Sequence, residues 1–195
     1  MAILAWRKTW RLCGIIFPLA YYFSNKNTTL LVILPFLSLF ILLEVLRFFI
    51  FRLNERLFIL FRYILKEKEK KSLFSTTWFL LSIFLSVILF RKDIAIAAML
   101  FLIFGDIASS VIGIYFGRTK IRNYTLEGSL ANFVTCLIIG IIINFTQIAL
   151  PWTVIVTGAL AATIIELIPV LDDNFTIALF SGIMMSIIFS LIKRS

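Results

Sequence analysis

Seven apolar runs fill most of the chain, six of them near the length of a membrane crossing and the first shorter unless it extends back to Ile3. They lie at roughly 12–23, 29–51, 73–90, 94–116, 127–149, 152–168 and 174–192. A crossing helix needs about 20 mostly apolar residues. Hydrocarbon offers no partner for backbone N–H and C=O groups, so such runs fold as helices. The pattern predicts an all-α protein, a polytopic transmembrane bundle of about seven helices forming one transmembrane domain over residues 1–195. Composition agrees: 62% of the 195 residues are hydrophobic and the mean hydropathy is +1.07, against about half apolar in soluble domains.

Arg7, Lys8 and Arg11 precede the first run, but no small-residue cleavage site follows it, so it reads as a retained first helix. Asn25 to Thr28 read as a short polar turn. Residues 52–72 form the one long connection. There Leu57, Phe58, Phe61, Ile64 and Leu65 share one side of a helix, with Arg56, Arg62 and Lys66 opposite, as in a helix lying on a membrane surface. The run Lys66 to Lys71 that ends it reads as a solvated face.

The net charge is +9 and the chain has no His, which excludes His-based catalysis, His-ligated metal and His pH switching. The positive balance is assigned to loops that set topology and meet anionic lipid, with no nucleic-acid partner. Of 19 Lys and Arg, thirteen lie before residue 12, in 52–72 or in 117–126; five (Lys26, Arg91, Lys92, Lys193, Arg194) fall on the other side, and Arg47 lies within a run. Basic loops stay cytoplasmic. The count predicts a cytoplasmic N-terminus, with 52–72, 117–126 and 171–173 on the same side. Cys13 and Cys136 both sit in apolar stretches and read as small buried residues, neither a disulfide nor a metal pair.

The ten acids are the informative residues. Glu44, Asp106 and Glu166 lie inside apolar runs, and Glu127, Asp172 and Asp173 at their cytoplasmic ends. An ionised acid at the membrane centre costs at least about 2.5–3.5 kcal/mol on insertion scales, so such residues point to function. Glu44 and Arg47, three apart, read as a neutralising structural pair. Asp106 stands with Ser109, Ser110, Gly113 and Gly117 on one narrow, small and polar helix face. Such a face also suits close helix packing, though packing does not call for an acid. Arg118, Lys120 and Arg122 follow, then Thr125-Leu126-Glu127-Gly128-Ser129 opens the fifth run. Thr125 is a candidate cap, Glu127 suits the positive helix end, and Gly128 and Ser129 leave backbone N–H groups accessible. Pro169 ends the sixth run, and Asp172-Asp173-Asn174 either caps the seventh or presents carboxylates to Mg²⁺.

Gly105-Asp106-x-x-Ser109-x-x-x-Gly113-x-x-x-Gly117-Arg118, then Leu126-Glu127-Gly128-Ser129, then Glu166 and Asp173-Asn174 resemble the CTP-dependent lipid kinase family. That family comprises dolichol kinase, phytol kinase and the yeast-type diacylglycerol kinase, related to phosphatidate cytidylyltransferases. Arg7-Lys8 and Glu44-x-x-Arg47 extend the likeness. The resemblance implies an integral, multi-pass enzyme that moves the γ-phosphate of CTP to the hydroxyl of a membrane lipid at the cytoplasmic face, with Mg²⁺ as cofactor. It makes Asp106 and Glu127 candidates for the base, and Asp106, Glu127 and Asp173 candidates for the metal. Ser109, Gly117, Arg118, Lys120, Gly128, Ser129 and Asn174 become the nucleotide and phosphate set, with Glu166 and Asp172 in support. Tyr124 departs from the lysine common there, for which Lys120 or Arg122 is a substitute, and Thr9 and Trp10 follow Arg7-Lys8 where a His is common. The lipid alcohol is not specified, and the oligomeric state is open, a homodimer included. A cytidylyltransferase making a CDP-lipid, an ion or solute transporter and a scaffold are the rival readings.

Overall fold

The computed structural model describes residues 11–61, 65, 67–121, 124–168 and 172–194. All seven apolar runs are helical. They form α1 (Cys13–Phe23, opening on a 3₁₀ turn), α2 (Lys26–Phe49), α4 (Ser75–Leu89), α5 (Lys92–Phe116), α6 (Leu126–Asn144), α7 (Trp152–Glu166) and α8 (Asp173–Arg194), with the shorter α3 (Phe51–Leu60) after α2. Four of them, α2, α5, α6 and α8, are long and apolar enough to cross a membrane. At 1.5 Å per residue the 25 residues of α5 reach about 37 Å. The 15 residues of α4 or α7 reach only about 22 Å, short of the roughly 30 Å hydrocarbon core.

Local chemistry sets the helix ends. Asn25 caps α2 by accepting the Thr28 N–H at 2.9 Å, so the helix starts inside the stretch expected to be a turn. Pro35 lies within α2 without ending it, as helices in lipid tolerate. Lys92 Nζ donates to the carbonyls of Tyr22 and Ser24 at 2.9 and 2.8 Å, and Lys26 Nζ to that of Ile88 at 2.7 Å. These lysines close the C-terminal ends of α1 and α4, where the carbonyls have no helical partner.

The most buried helix is α5: Ile94 to Met99 and Phe101 to Ile103 are all buried. Packed around it and on one another are α1, α6, α7 and α8, while α2 leans on α4 and turns Leu31, Phe48 and Phe49 outward. Apolar side chains gain little by leaving lipid for protein, so close fit holds such helices together. Gly140 abuts Ile155, Gly182 abuts Phe90, and Gly158 abuts Met185 and Phe101.

The all-α expectation holds, with one short antiparallel pairing among the described residues, β1 (Lys120–Ile121) with β2 (Tyr124–Thr125). Two expectations are corrected. Cys13 is exposed, because the first turn of α1 lies at the bundle's rim; Cys136 is buried as expected. The charged run before α4 is not all solvated: Glu69 is only 2% exposed and accepts the Ser75 hydroxyl at 2.5 Å. Arg62, Ile64, Lys66, Arg122, Pro169 and the residues before Arg11 lie outside the described residues.

Candidate functional site

One end of the bundle gathers the polar side chains that a membrane interior would otherwise reject. There the C-terminal half of α5, the start of α6, the end of α7 and the starts of α8 and α4 meet. A π-helical stretch, Phe101–Gly105, precedes Asp106 within α5. Such bulges shift the register of a helix and recur at functional sites. Regular α-helix resumes at Asp106, so the predicted face from Asp106 to Gly117 keeps its spacing.

Asp106, 3% exposed, is ion-paired with Arg11. Ser109, one turn on, is also buried. The small residues beyond it make the seam between α5 and α6. A Cβ on Gly128 would lie 2.6 Å from the Ser109 carbonyl and 3.3 Å from Gly113 Cα, and one on Gly117 would meet Thr125. Thr125 caps α6 by accepting the Gly128 N–H at 3.1 Å. The glycines at 113, 117 and 128 therefore allow α5 and the start of α6 to touch, with Thr125 between them.

Deeper in the bundle, Asn132 is fully buried. Its amide nitrogen donates to Glu166 at 2.8 Å and its carbonyl accepts the Cys136 thiol at 3.2 Å. Gly105 makes room for it, since a Cβ there would stand 2.6 Å from the Asn132 carbonyl oxygen. Nearer the surface, the Tyr124 hydroxyl donates to Asp173 at 2.7 Å. Burial, that hydrogen bond and the negative charges of Asp173, Glu166 and Asp172 raise the Tyr124 pKa well above the ordinary tyrosine value. Tyr124 thus stays a donor and marks where three carboxylates face one hydroxyl. Ser75 reaches Asp172 at 3.2 Å and Glu69 at 2.5 Å, and Asp172 accepts both the backbone and side-chain N–H groups of Asn174. Ser129 Oγ and Asn174 Oδ1 are buried with no hydrogen-bond partner among the described residues.

The predicted residues divide into two groups. Asp106, Ser109, Ser129, Glu166 and Asn174 are buried at this end, with Asp172 and Asp173 half-buried beside them. Glu127 is half-buried on the rim, both its oxygens on the Thr119 N–H at 3.1 and 3.3 Å, where it closes the hairpin; Arg118 and Lys120 are exposed on that hairpin. Among the described residues no three His, Cys, Asp or Glu side chains converge on a metal-sized site. Asp106 holds Arg11, Glu127 holds Thr119 and Asp173 holds Tyr124. That arrangement does not fit a resident Mg²⁺, which asks for carboxylates aimed at a common point.

Arg11, Asn132, Ser75 and Glu69 join the network without having stood out in the sequence. Asn132 was accessible by the rule that picks out Asp106, being a polar residue inside an apolar run. Arg11 and Glu69 lie outside the apolar runs, where charge is ordinary, and Ser75 stands at the start of the third run, where a hydroxyl is ordinary.

No protein-family model matches the chain, and no solved structure does. It is 28% identical over 180 residues to the uncharacterized protein RP860 of Rickettsia prowazekii, covering 89% of this chain and 88% of that one. It is 26% identical over 156 residues to the CTP-dependent diacylglycerol kinase 1 of Eremothecium gossypii, covering 67% of this chain and 49% of the kinase. The chain thus aligns with about half the length of that enzyme.

Proposed function

We propose that this chain is a membrane-embedded lipid kinase that transfers the γ-phosphate of a nucleoside triphosphate, with CTP favoured, to the hydroxyl of a lipid alcohol. The observation that carries the reading is the gathering of Asp106, Glu166, Asp172 and Asp173 with Arg11 at one end of an apolar bundle, next to a hairpin bearing Arg118 and Lys120. The likeness to a CTP-dependent diacylglycerol kinase supports the same chemistry. In this reading α1, α4 and α7 cross the membrane with the four longer helices, α3 lies on its surface, and the acid-rich end faces the cytoplasm, where the basic loops also lie.

Phosphoryl transfer depends on positioning and charge stabilisation more than on covalent chemistry. The lipid keeps its tail in hydrocarbon and brings its hydroxyl to the acid-rich end. Asp106, inside the bundle, accepts the hydroxyl proton as the lipid oxygen bonds to the γ-phosphorus and the bond to the β-phosphate oxygen breaks. Glu127 is the alternative base, but its place on the rim and its hold on Thr119 suit shaping the hairpin better. Arg11 keeps Asp106 in position and offsets its repulsion of the phosphates. Arg118 and Lys120 meet the nucleotide from the aqueous side, and the Ser129 hydroxyl is a buried donor for a phosphate oxygen. A divalent ion carried on the nucleotide belongs to the substrate.

The test incubates the purified chain with γ-labelled CTP or ATP against diacylglycerol, polyprenol and phytol-like alcohols, with the lipids separated by chromatography. Label in a phosphorylated lipid, stronger from CTP, is the expected result. A CDP-lipid with released pyrophosphate, or no labelled lipid with any alcohol, would sink the kinase reading.

A further inference from the structure

Asn174 lies in the first turn of α8 and is 1% exposed. Its side-chain nitrogen donates to Asp172 Oδ1 at 2.5 Å, and its backbone N–H reaches the same oxygen at 3.2 Å. An ionised carboxylate only accepts hydrogen bonds, so the amide cannot turn over without setting oxygen against oxygen. Asp172 in turn accepts from Ser75. The side-chain carbonyl of Asn174 is therefore held pointing away from Asp172, and among the described residues it meets no donor. A buried acceptor left empty is a standing cost that native structures rarely carry without a reason.

This atom can only accept. The phosphates of a nucleotide at neutral pH present acceptors alone, so they do not complement this oxygen. The group that fits must bring a hydrogen. With Asp172 and Asp173 alongside, the surroundings are already rich in acceptors, which suits a neutral O–H. We propose that Asn174 Oδ1 receives a hydroxyl of the substrate and makes the site sensitive to whether that hydroxyl is present. The hydroxyl belongs to the lipid alcohol or to the nucleotide's ribose, an assignment that rests on the kinase reading; the need for a hydroxyl does not. A site that leaves a buried polar atom unpaired rejects an analogue lacking the partner far more strongly than one that merely loses contact area.

The experiment uses the full chain in lipid nanodiscs and two matched pairs of probes: diacylglycerol with its analogue lacking the free hydroxyl, and CTP with 2′-deoxy-CTP. Equilibrium binding is measured for the wild type, Asn174→Leu and Asn174→Ala, and KM and kcat where transfer occurs. The wild type is expected to prefer the hydroxylated member of one pair by about tenfold, and both variants to lose that preference while keeping their affinity for the other pair. The pair affected names the hydroxyl's owner. If the wild type binds both members of both pairs equally, or a folded variant keeps the wild-type preference, the proposal falls. The wild-type comparison decides even if neither variant folds. A preference without any phosphate transfer would keep the hydroxyl site and remove the kinase reading, and transfer without a preference would do the reverse.

Discussion

The buried ion pair of Glu44 with Arg47 and the acid-rich end of the bundle are built on opposite plans. In the first, Glu44 and Arg47 stand three residues apart on α2. Arg47 spends all five of its N–H donors: Nε and Nη2 on Glu44, Nη1 on Asn54 at 3.2 Å and on the Glu69 carbonyl at 2.8 Å, and Nη2 again on the Ser72 carbonyl at 2.5 Å. Its guanidinium also stacks near the rings of Phe48 and Phe74, 4.5 and 3.9 Å from their centres. Glu44 accepts the Phe74 N–H at 2.5 Å and the Thr77 hydroxyl at 3.0 Å. In the second cluster the acids are spread over α5, α7 and the start of α8, and Ser129 Oγ and Asn174 Oδ1 have no partner among the described residues. Burial of charge is common to both. Saturation separates them: the closed cluster fastens the segment before α4 to α2, and the open one keeps hydrogen-bonding capacity that the described residues do not fill.

Breaking the closed cluster should have the largest effect. Arg47→Ala leaves Glu44 buried without its cation and strips three acceptors of their donor, a loss of about 3–5 kcal/mol of stability. The double variant Glu44→Leu with Arg47→Met removes both charges and should cost less than the single change. Denaturant unfolding in detergent measures both. An Arg47→Ala protein of unchanged stability but abolished transfer would move this cluster into the active site and end the contrast. The opposite pattern is expected at the open cluster. Asp106→Asn keeps an acceptor for Arg11 but removes the base, so transfer should fall by about 10²–10⁴ while the unfolding midpoint shifts less than for Arg47→Ala. Near-normal transfer in Asp106→Asn would remove it from catalysis and leave Glu127 as the base.

A smaller effect sharpens the boundary between packing and chemistry. Gly128→Ala drives a methyl group against the Ser109 carbonyl and within 2.9 Å of Thr125 Oγ1, the atom that caps α6. The overpacking should cost about 1–3 kcal/mol. Stability and transfer should fall together, because α6 shifts against the helix that carries Asp106. A loss of transfer with full stability would instead favour a direct phosphate role for the Gly128 backbone.

The bundle was legible because lipid imposes one rule on long apolar runs, and all seven became helices. Their ends were less legible. The fifth run looks apolar to residue 149, but α6 stops at Asn144, whose side chain turns back to accept the Leu150 N–H at 2.8 Å. Hydropathy does not register such a cap. Asp106 and Glu166 stood out because an acid among Ile and Phe has no cheap explanation, and Glu44 with Arg47 because their spacing permits self-neutralisation. The partners were not legible. Arg11 and Asp106 are far apart in sequence, as are Tyr124 and Asp173, and only helix packing brings them together. The π-turn before Asp106 leaves no mark in composition. The expected metal trio illustrates the same limit: Asp106, Glu127 and Asp173 share one end of the molecule, yet each is directed to a different protein partner.

The mildest change tests the open cluster at its surface. Tyr124→Phe removes one neutral hydrogen bond to Asp173, worth about 0.5–1.5 kcal/mol, and loosens the tie between the hairpin and the start of α8. Its pH dependence has a definite sign. Burial, the bond to Asp173 and the charges of Asp173, Glu166 and Asp172 all favour the protonated phenol, so the folded protein holds this proton more tightly than the unfolded chain. The stabilisation is therefore fully present below the ordinary tyrosine value of about 10 and is lost as pH rises above it. An alkaline absorbance titration reads this directly. Tyr124→Phe should leave the tyrosine ionisation wave near pH ~10 unchanged, because Tyr124 does not contribute to it, whereas Asp173→Asn should move the Tyr124 ionisation down toward that wave, with burial still holding it above. If Tyr124→Phe instead subtracts absorbance from the wave, Tyr124 is in water, Asp173 is free of it, and the open cluster is more open than the contrast with Glu44 and Arg47 requires.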